Sequence, residues 1–335
     1  MKIDTEVAVG EPIEVVELSK KAEGYGFDAF WVNETKHDPF VQIALAATAT
    51  TRIELGTSIA LAFTRSPTTM AYTSWDLQST SGGRFMLGLG SQVKGHVERR
   101  FGMKWDPAAP KMMEYVSALK SVWKSWQDGT NLDFRGRYYT LDLMTPFFTP
   151  DPIKNPAIPV LVAGVNRMMC KAAGVVAEGL HVHPLHTVRY LREVVEPALS
   201  AGLARAGRSR KEVQVAASVF AAVGDTEQEI AAVRETYRGQ IAFYASTRSY
   251  RKVMELHHWE DVAERLHALS VNGEWHRMAS EVGDDILAEF VVEGTWKEVG
   301  GRIQDKYRGI LDRARVYLPF DGNPRWADVP RGFRA

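Results

Sequence analysis

The sequence predicts an α/β fold, a (β/α)8 TIM barrel, on three observations. Strand-like and helix-like segments alternate from the N-terminus onward, eight apolar strand segments are present, and polar clusters recur at their C-terminal ends. An open doubly wound sheet is the competing architecture, but it wants about six strands and a glycine fingerprint in the first βα turn. The chain meets neither condition. Its 335 residues suit one barrel domain spanning residues 1–335.

Each element has its own signal. Ile3–Val9 alternates apolar and polar residues, and Pro12 then opens a helix with Val15, Leu18 and Ala22 on one stripe, stopped by Gly24 and Gly26. Ala29–Asn33 is an apolar strand that runs into Asn33, Glu34, Thr35, Lys36, His37 and Asp38 before a helix over Phe40–Ala49. Ile53–Ile59 is the third strand, followed by the loop Ala62–Pro67 and a helix over Thr68–Ser79. Arg84–Leu89 is the fourth. The helix after it carries Met112, Val116, Leu119, Trp123 and Trp126 on one face, which marks them as core. Phe134–Pro159 contains five prolines and is expected to be a long ordered loop over the barrel. Pro159–Ala163, Gly179–Val182, Val213–Val223 and Arg315–Phe320 complete the strands. Thr226 with Glu229 and Thr295 with Glu298 are capping pairs that open two helices before the eighth strand. Between those helices, residues 246–283 are expected to form an inserted helical segment.

Composition narrows the function classes. Lys+Arg and Asp+Glu stand at 41 each, so no net field draws the chain to nucleic acid or an anionic membrane. A single cysteine, Cys170, excludes an internal disulfide framework and fits a reducing compartment. No apolar run approaches the roughly 18 residues that span a bilayer. The start, MKIDTEVAVGEP, lacks the apolar core of a signal peptide, so the expected location is the cytoplasm.

The stretch Gly82–Gly102 concentrates the chemistry. Its strand breaks off at Gly88-x-Gly90 and hands over to Ser91, Gln92 and the basic residues Lys94, His96, Arg99 and Arg100. Glycines there let a bound anion approach backbone N–H donors, or they relieve crowding where strands pack. Val93 stands where a dinucleotide fingerprint needs its third glycine. Gly164, Val165, Asn166 and Arg167, just before a helix, form a second place for a phosphate. His181 and His183 share one side of a strand, as zinc ligands do in some barrel hydrolases, but no third histidine and carboxylate accompany them. No metal is expected, and the pair is assigned to the pocket wall. Serine-hydrolase elbows, Walker A loops and His-Glu-x-x-His are absent.

Several segments together, GFDAFWVNETKHDPF, LGTSIALAFTRSP, WDLQSTSGGRFMLGLGSQVKGHVERRFGM, LMTPFFTP, PVLVAGVN and AEGLHVHPLHT, resemble the bacterial luciferase-like superfamily. Within it, the chain looks like the branch of oxidoreductases dependent on coenzyme F420, a deazaflavin. The resemblance implies a barrel holding F420 in its mouth, with a non-prolyl cis peptide at Ser58-Ile59 behind the ring. The implied cofactor contacts are Thr57, Ser58, Ile59, Gly90, Ser91, Gln92, Ala163, Gly164, Val165 and Asn166. Sugar-phosphate dehydrogenases of the branch carry Asp-His where this chain has Glu34-Thr35, and a glutamate where it has Val93, which argues against a sugar-phosphate substrate.

The expected function is hydride transfer between F420 and a small organic substrate. Glu34 or His37 is expected to supply the proton, with Thr5, His181 and His183 lining the substrate pocket. An FMN-dependent monooxygenase and a non-catalytic flavin-binding barrel are the alternatives. A homodimer or larger homo-oligomer is expected.

Overall fold

The structure is a computed structural model that describes residues 1–335. Its barrel strands are β1 (Lys2–Val7), β2 (Ala29–Val32), β3 (Glu54–Thr57), β4 (Phe85–Gly90), β5 (Val160–Gly164), β6 (Gly179–Val182), β7 (Gln214–Gly224) and β8 (Arg313–Val316). Each pairs in parallel with the next, and β8 returns to β1, where Lys2, Ile3 and Asp4 face Arg313, Ala314 and Arg315. The closed (β/α)8 barrel leaves no free edge among these strands.

Alternation along the strands separates two cores. Ile3 and Val7 point outward into the large apolar cluster shared with the helices. Inside the barrel, Ala29, Trp31, Met86, Leu161 and Ala216 form a small plug. The mouth above that plug, at the strand C-termini, is the face where barrel sites are built.

Local signals place the helices around it. Asp38 and Ser66 cap helices Pro39–Ala49 and Pro67–Thr80 by accepting the N–H groups of Phe40 and Thr69, and a proline follows each cap. Met112, Val116, Leu119, Trp123 and Trp126 are all buried on helix Ala108–Asp128. No helix is long and apolar enough to cross a membrane.

Three boundaries differ from the sequence reading. The eighth strand starts at Arg313 rather than Arg315 and ends before Phe320, because two arginines here face the barrel interior instead of ending the strand. A further strand, Val291–Thr295, extends β7 by pairing with Phe220–Gly224. The Phe134–Pro159 excursion contains a short hairpin, Phe134–Arg135 against Thr140–Leu141, tied down by Glu114, which accepts the N–H groups of Arg137, Tyr138 and Tyr139. Residues 246–283 are helical, with helices Arg251–Leu256 and Glu260–Val271 and a turn over Trp275–Glu281.

Candidate functional site

Two charged layers lie inside the barrel. The lower one is enclosed: Arg313 donates to both oxygens of Asp4 at 2.7 and 2.9 Å and pairs with Glu54 at 2.7 Å, while the Trp31 indole donates to Asp4 at 2.9 Å. Two residues further along each strand, Glu6 pairs with Arg315 at 2.8 Å, and Arg315 also donates to Ser218 Oγ. Burial raises the Glu6 carboxyl above its ordinary range, and the Arg315 charge offsets this only in part.

Aromatic hydroxyls stand over the upper layer. Tyr244 and Tyr317 share a hydrogen bond of 2.6 Å, and the Tyr237 hydroxyl donates to the Tyr317 carbonyl. Burial raises the Tyr244 and Tyr317 hydroxyls, and the Glu6 charge adds to both shifts. His183 meets Tyr244 edge-on at 4.6 Å and stacks on Tyr250, from the helical insertion, at 4.3 Å. Beneath it, His181 lies edge-on to Trp31 at 4.8 Å with Nε2 buried and unpartnered. Burial, with Arg315 and Arg313 nearby, pushes His181 far below its usual value; burial and His186 bring His183 down to about 3. Both rings are neutral at physiological pH.

The structure redistributes the residues singled out from sequence. Thr5 is fully buried and shares the outward side of β1 with Ile3 and Val7, so alternation removes it from the pocket and presents Glu6 instead. Glu34 is no free acid: Arg65 donates to its two oxygens at 3.0 and 2.8 Å and the Leu61 N–H at 2.8 Å. Arg65 also holds Asp38, so Glu34 clamps the loop after β2 to the loop after β3. His37 donates through Nε2 to the Gly10 carbonyl at 2.9 Å, beside a side cleft of about 310 Å³ that also involves Val7, Asn33 and Gln42.

The cofactor set divides in the same way. Thr57 is buried, and its hydroxyl donates to the Gly88 carbonyl and accepts the Gly88 N–H, so it joins two strands rather than facing a ligand. A side chain at Gly88 would overlap the Thr57 carbonyl, and one at Gly90 would strike Ile59, so packing demands both glycines. Ser58 and Ile59 are half-buried at the mouth, and the peptide bond between them is cis. Ser91 donates to the Gln92 carbonyl, and Gln92 accepts the Val93 N–H from a left-handed backbone with φ 57°. Ala163 is half-buried opposite His181. Gly164 lets Leu180 and Cys170 pack closely. The Val165 carbonyl accepts the Tyr190 hydroxyl, and Asn166 caps helix Arg167–Val176 through the Met169 N–H.

The missed residues are Ser218, Arg315, Tyr317, Tyr244, Tyr250 and Arg65, while Glu6 belongs to the polar end of β1, Asp4, Thr5 and Glu6, from which the expected pocket took only Thr5. Only Glu6 carried a readable signal, since Asp4 and Glu6 alternate with Ile3, Thr5 and Val7.

A family model described as luciferase-like monooxygenase matches residues 2–313. The chain belongs to that family. An uncharacterized protein of Mycobacterium tuberculosis is 46% identical over 291 residues, 87% of this chain and 86% of that protein. A 5,10-methylenetetrahydromethanopterin reductase of Archaeoglobus fulgidus is 26% identical over 322 residues, 94% of this chain and 91% of that protein. The solved coenzyme F420 dependent tetrahydromethanopterin reductase from Methanopyrus kandleri superposes with a TM-score of 0.78 at 22% identity, covering 99% of this chain and 98% of that one. At that identity the likeness speaks for the fold.

The start of helix Arg167–Val176 fits the phosphate of a cofactor. Helix Arg167–Val176 leaves the first-turn amides of Arg167 and Met168 without helical partners, because Asn166 takes only the Met169 N–H. Asn166, Arg167 and Met168 border a cleft of about 790 Å³ there, so two amides and Arg167 stand ready for an anion, while Lys252 on the same cleft is paired with Glu255 at 2.7 Å. The basic segment after β4 contributes less: Lys94 sits 3.8 Å from Glu98, Arg99 folds back on Gly95, and Arg100 donates to the Thr35 carbonyl.

Proposed function

We propose that this chain is an F420-dependent oxidoreductase that transfers a hydride between the deazaflavin and a small organic substrate. The observation that carries the proposal is Glu6, an inward-facing carboxyl at the strand C-termini 2.8 Å from Arg315, which burial raises above its ordinary range. Ser58 and Ile59 would back the ring, and the amides after Asn166, with Arg167, would hold the phosphate. Bound there, F420 supplies two-electron hydride chemistry. Glu6 donates a proton to the substrate heteroatom beside the reduced carbon, and Arg315 and Ser218 hold the carboxylate that remains. The Tyr237, Tyr244 and Tyr317 rings cover the site and exclude water. A putative coenzyme F420-dependent oxidoreductase of Mycobacterium tuberculosis, 25% identical over 295 residues and 83% of each chain, supports the deazaflavin over other flavins.

An FMN-dependent monooxygenase is the second reading, favoured by the description of the family itself. Reconstitution separates the two. Retention of F420 at micromolar concentration with no retention of FMN is the expected result, and the reverse order refutes the proposal. With F420 bound, Glu6→Gln should slow the chemical step by roughly 10²–10⁴-fold while leaving cofactor affinity within about threefold.

A further inference from the structure

We infer that the side cleft next to His37 is a ligand site of its own, and that it takes a carboxylate joined to an amide N–H, as in an N-acyl amino acid. The cleft lies between the loop after β1, with Ala8, Val9 and Gly10, the segment after β2, with Asn33, Thr35 and Lys36, and Gln42 of helix Pro39–Ala49. At about 310 Å³ it stands at the lower end of the range of small-molecule sites, about 300–1,000 Å³. The site does not depend on which cofactor the barrel holds.

Gln42 shows that the cleft is built for a partner. Helix Pro39–Ala49 reads PFVQIALAATA, so Gln42 is its one amide side chain among mostly apolar neighbours, and it is only 3% exposed. Its Nε2 donates to the Asp38 carbonyl at 3.3 Å, which fixes the orientation of the amide and leaves Oε1, without a partner in the chain, for the cleft. A ligand N–H satisfies that oxygen. Asn33 is set the other way round: Thr35 donates to its Oδ1 at 3.0 Å, which leaves the Nδ2 hydrogens for an acceptor. An acceptor and a donor on one cleft match the N–H and C=O of an amide.

Charge supplies the remaining group. Lys36 borders the cleft, is exposed and has no carboxylate partner, and Arg100, which donates to the Thr35 carbonyl at 3.1 Å, has none either. No Asp or Glu lines the cleft. The neighbouring acids are engaged elsewhere: Arg65 holds Glu34 and Asp38 at 2.8 and 2.9 Å, Glu14 accepts the N–H groups of Gly10 and Glu11 at 3.3 Å, and Glu11 caps the turn Pro12–Glu14. A ligand carboxylate therefore has Lys36 to itself. A simple anion would leave Gln42 Oε1 without a donor, and a neutral amide would leave Lys36 without an anion. The class that meets both is the amide-linked acid.

Three related probes test this on the full chain, with and without bound F420: hippurate, which carries acid and amide, methyl hippurate, which lacks the charge, and benzoate, which lacks the amide. Calorimetry gives the affinities, and the His37 ring, which borders the cleft, reports the place of binding by NMR of isotope-labelled histidine. Hippurate should bind at least about threefold more tightly than either of the others. Lys36→Gln, a change at the surface, should bring hippurate down to the methyl ester and leave the ester within about twofold of its parent value. Gln42→Leu should weaken hippurate and the ester alike, about three- to tenfold, and leave benzoate unchanged. Should that variant fail to fold, the Lys36→Gln comparison decides. No saturable binding of hippurate, benzoate or the ester binding as well as hippurate, a His37 resonance unmoved at saturation, or Lys36→Gln with unchanged hippurate affinity would each overturn the inference. Hippurate affinity lost on F420 loading would give the cleft to the cofactor and overturn it too. Retention of FMN in place of F420 leaves the ranking of the probes intact.

Discussion

Truncating Asp4 to alanine removes one partner from the most enclosed ion pair of the chain, whose side chains are 1% and 2% exposed. Its carboxylate accepts two hydrogen bonds from Arg313 and one from the Trp31 indole. An orphaned indole N–H alone costs about 1–3 kcal/mol. Arg313 would keep Glu54 at 2.7 Å, so its charge stays partly compensated and the whole loss should fall at about 3–5 kcal/mol, the usual effect of breaking a buried pair. Urea unfolding reads this directly, as a lower midpoint at an unchanged slope. The double variant Asp4→Leu with Arg313→Met removes the unpaired cation and should recover the part of the loss due to it, about 1–2 kcal/mol, while the indole N–H stays without a partner and Glu54 keeps Lys2. An Asp4→Ala variant within about 0.5 kcal/mol of the parent, or a double variant no better than the single, would show that the lower layer is not the strut described here.

Three other outcomes are expected. Gly88→Ala should destabilise the barrel by at least about 1–3 kcal/mol in the same assay, because its Cβ overlaps the Thr57 carbonyl and comes 3.0 Å from His181 Nε2; full stability would mean the strands can spread. Burial raises the Glu6 carboxyl, so reduction that needs its proton should slow as pH rises through that raised value; the limb should vanish in Glu6→Gln, and a persistent limb would assign the proton elsewhere. Burial opposes ionisation of Glu23, but the N–H groups of Ile53, Arg52 and Thr51 outweigh it and hold its carboxyl below the usual range. Its stabilising effect is therefore present above the unfolded-state value and lost as pH falls through the folded one, so Glu23→Gln should flatten the acid limb of stability, and an unchanged limb would remove Glu23 from the account.

What the sequence made readable was what each element decides within itself. Apolar runs and caps located the strands and most helices, and the stripe of Met112, Val116, Leu119, Trp123 and Trp126 is buried as periodicity demands. Arg313 escaped notice because an arginine ordinarily ends a strand, and here Asp4 and Glu54 draw it inward. Val291–Thr295 escaped because a short apolar run beside a helix cap has no period long enough to show its type. Thr5 in place of Glu6 was an error that alternation alone corrects.

Glu34 shows the deeper limit. An acidic residue at a strand end is the right type in the right place for proton transfer, yet Arg65, 31 positions away, turns it into a clamp. The same holds for the mouth itself. Glu6 comes from β1, Ser218 from β7, Arg315 and Tyr317 from β8 and just beyond, Tyr244 from helix Glu227–Ala245, and Tyr250 from the insertion. None of these spacings forms a motif, because the residues meet only when β8 returns to pair with β1 and the insertion folds back over the opening. Closure of the sheet is thus the event that assembles the acid, its cation and the neutral histidine. Chemistry at this mouth therefore depends on the same β8 arginines, two residues apart, that hold the barrel shut: Arg313 in the lower layer and Arg315 in the upper.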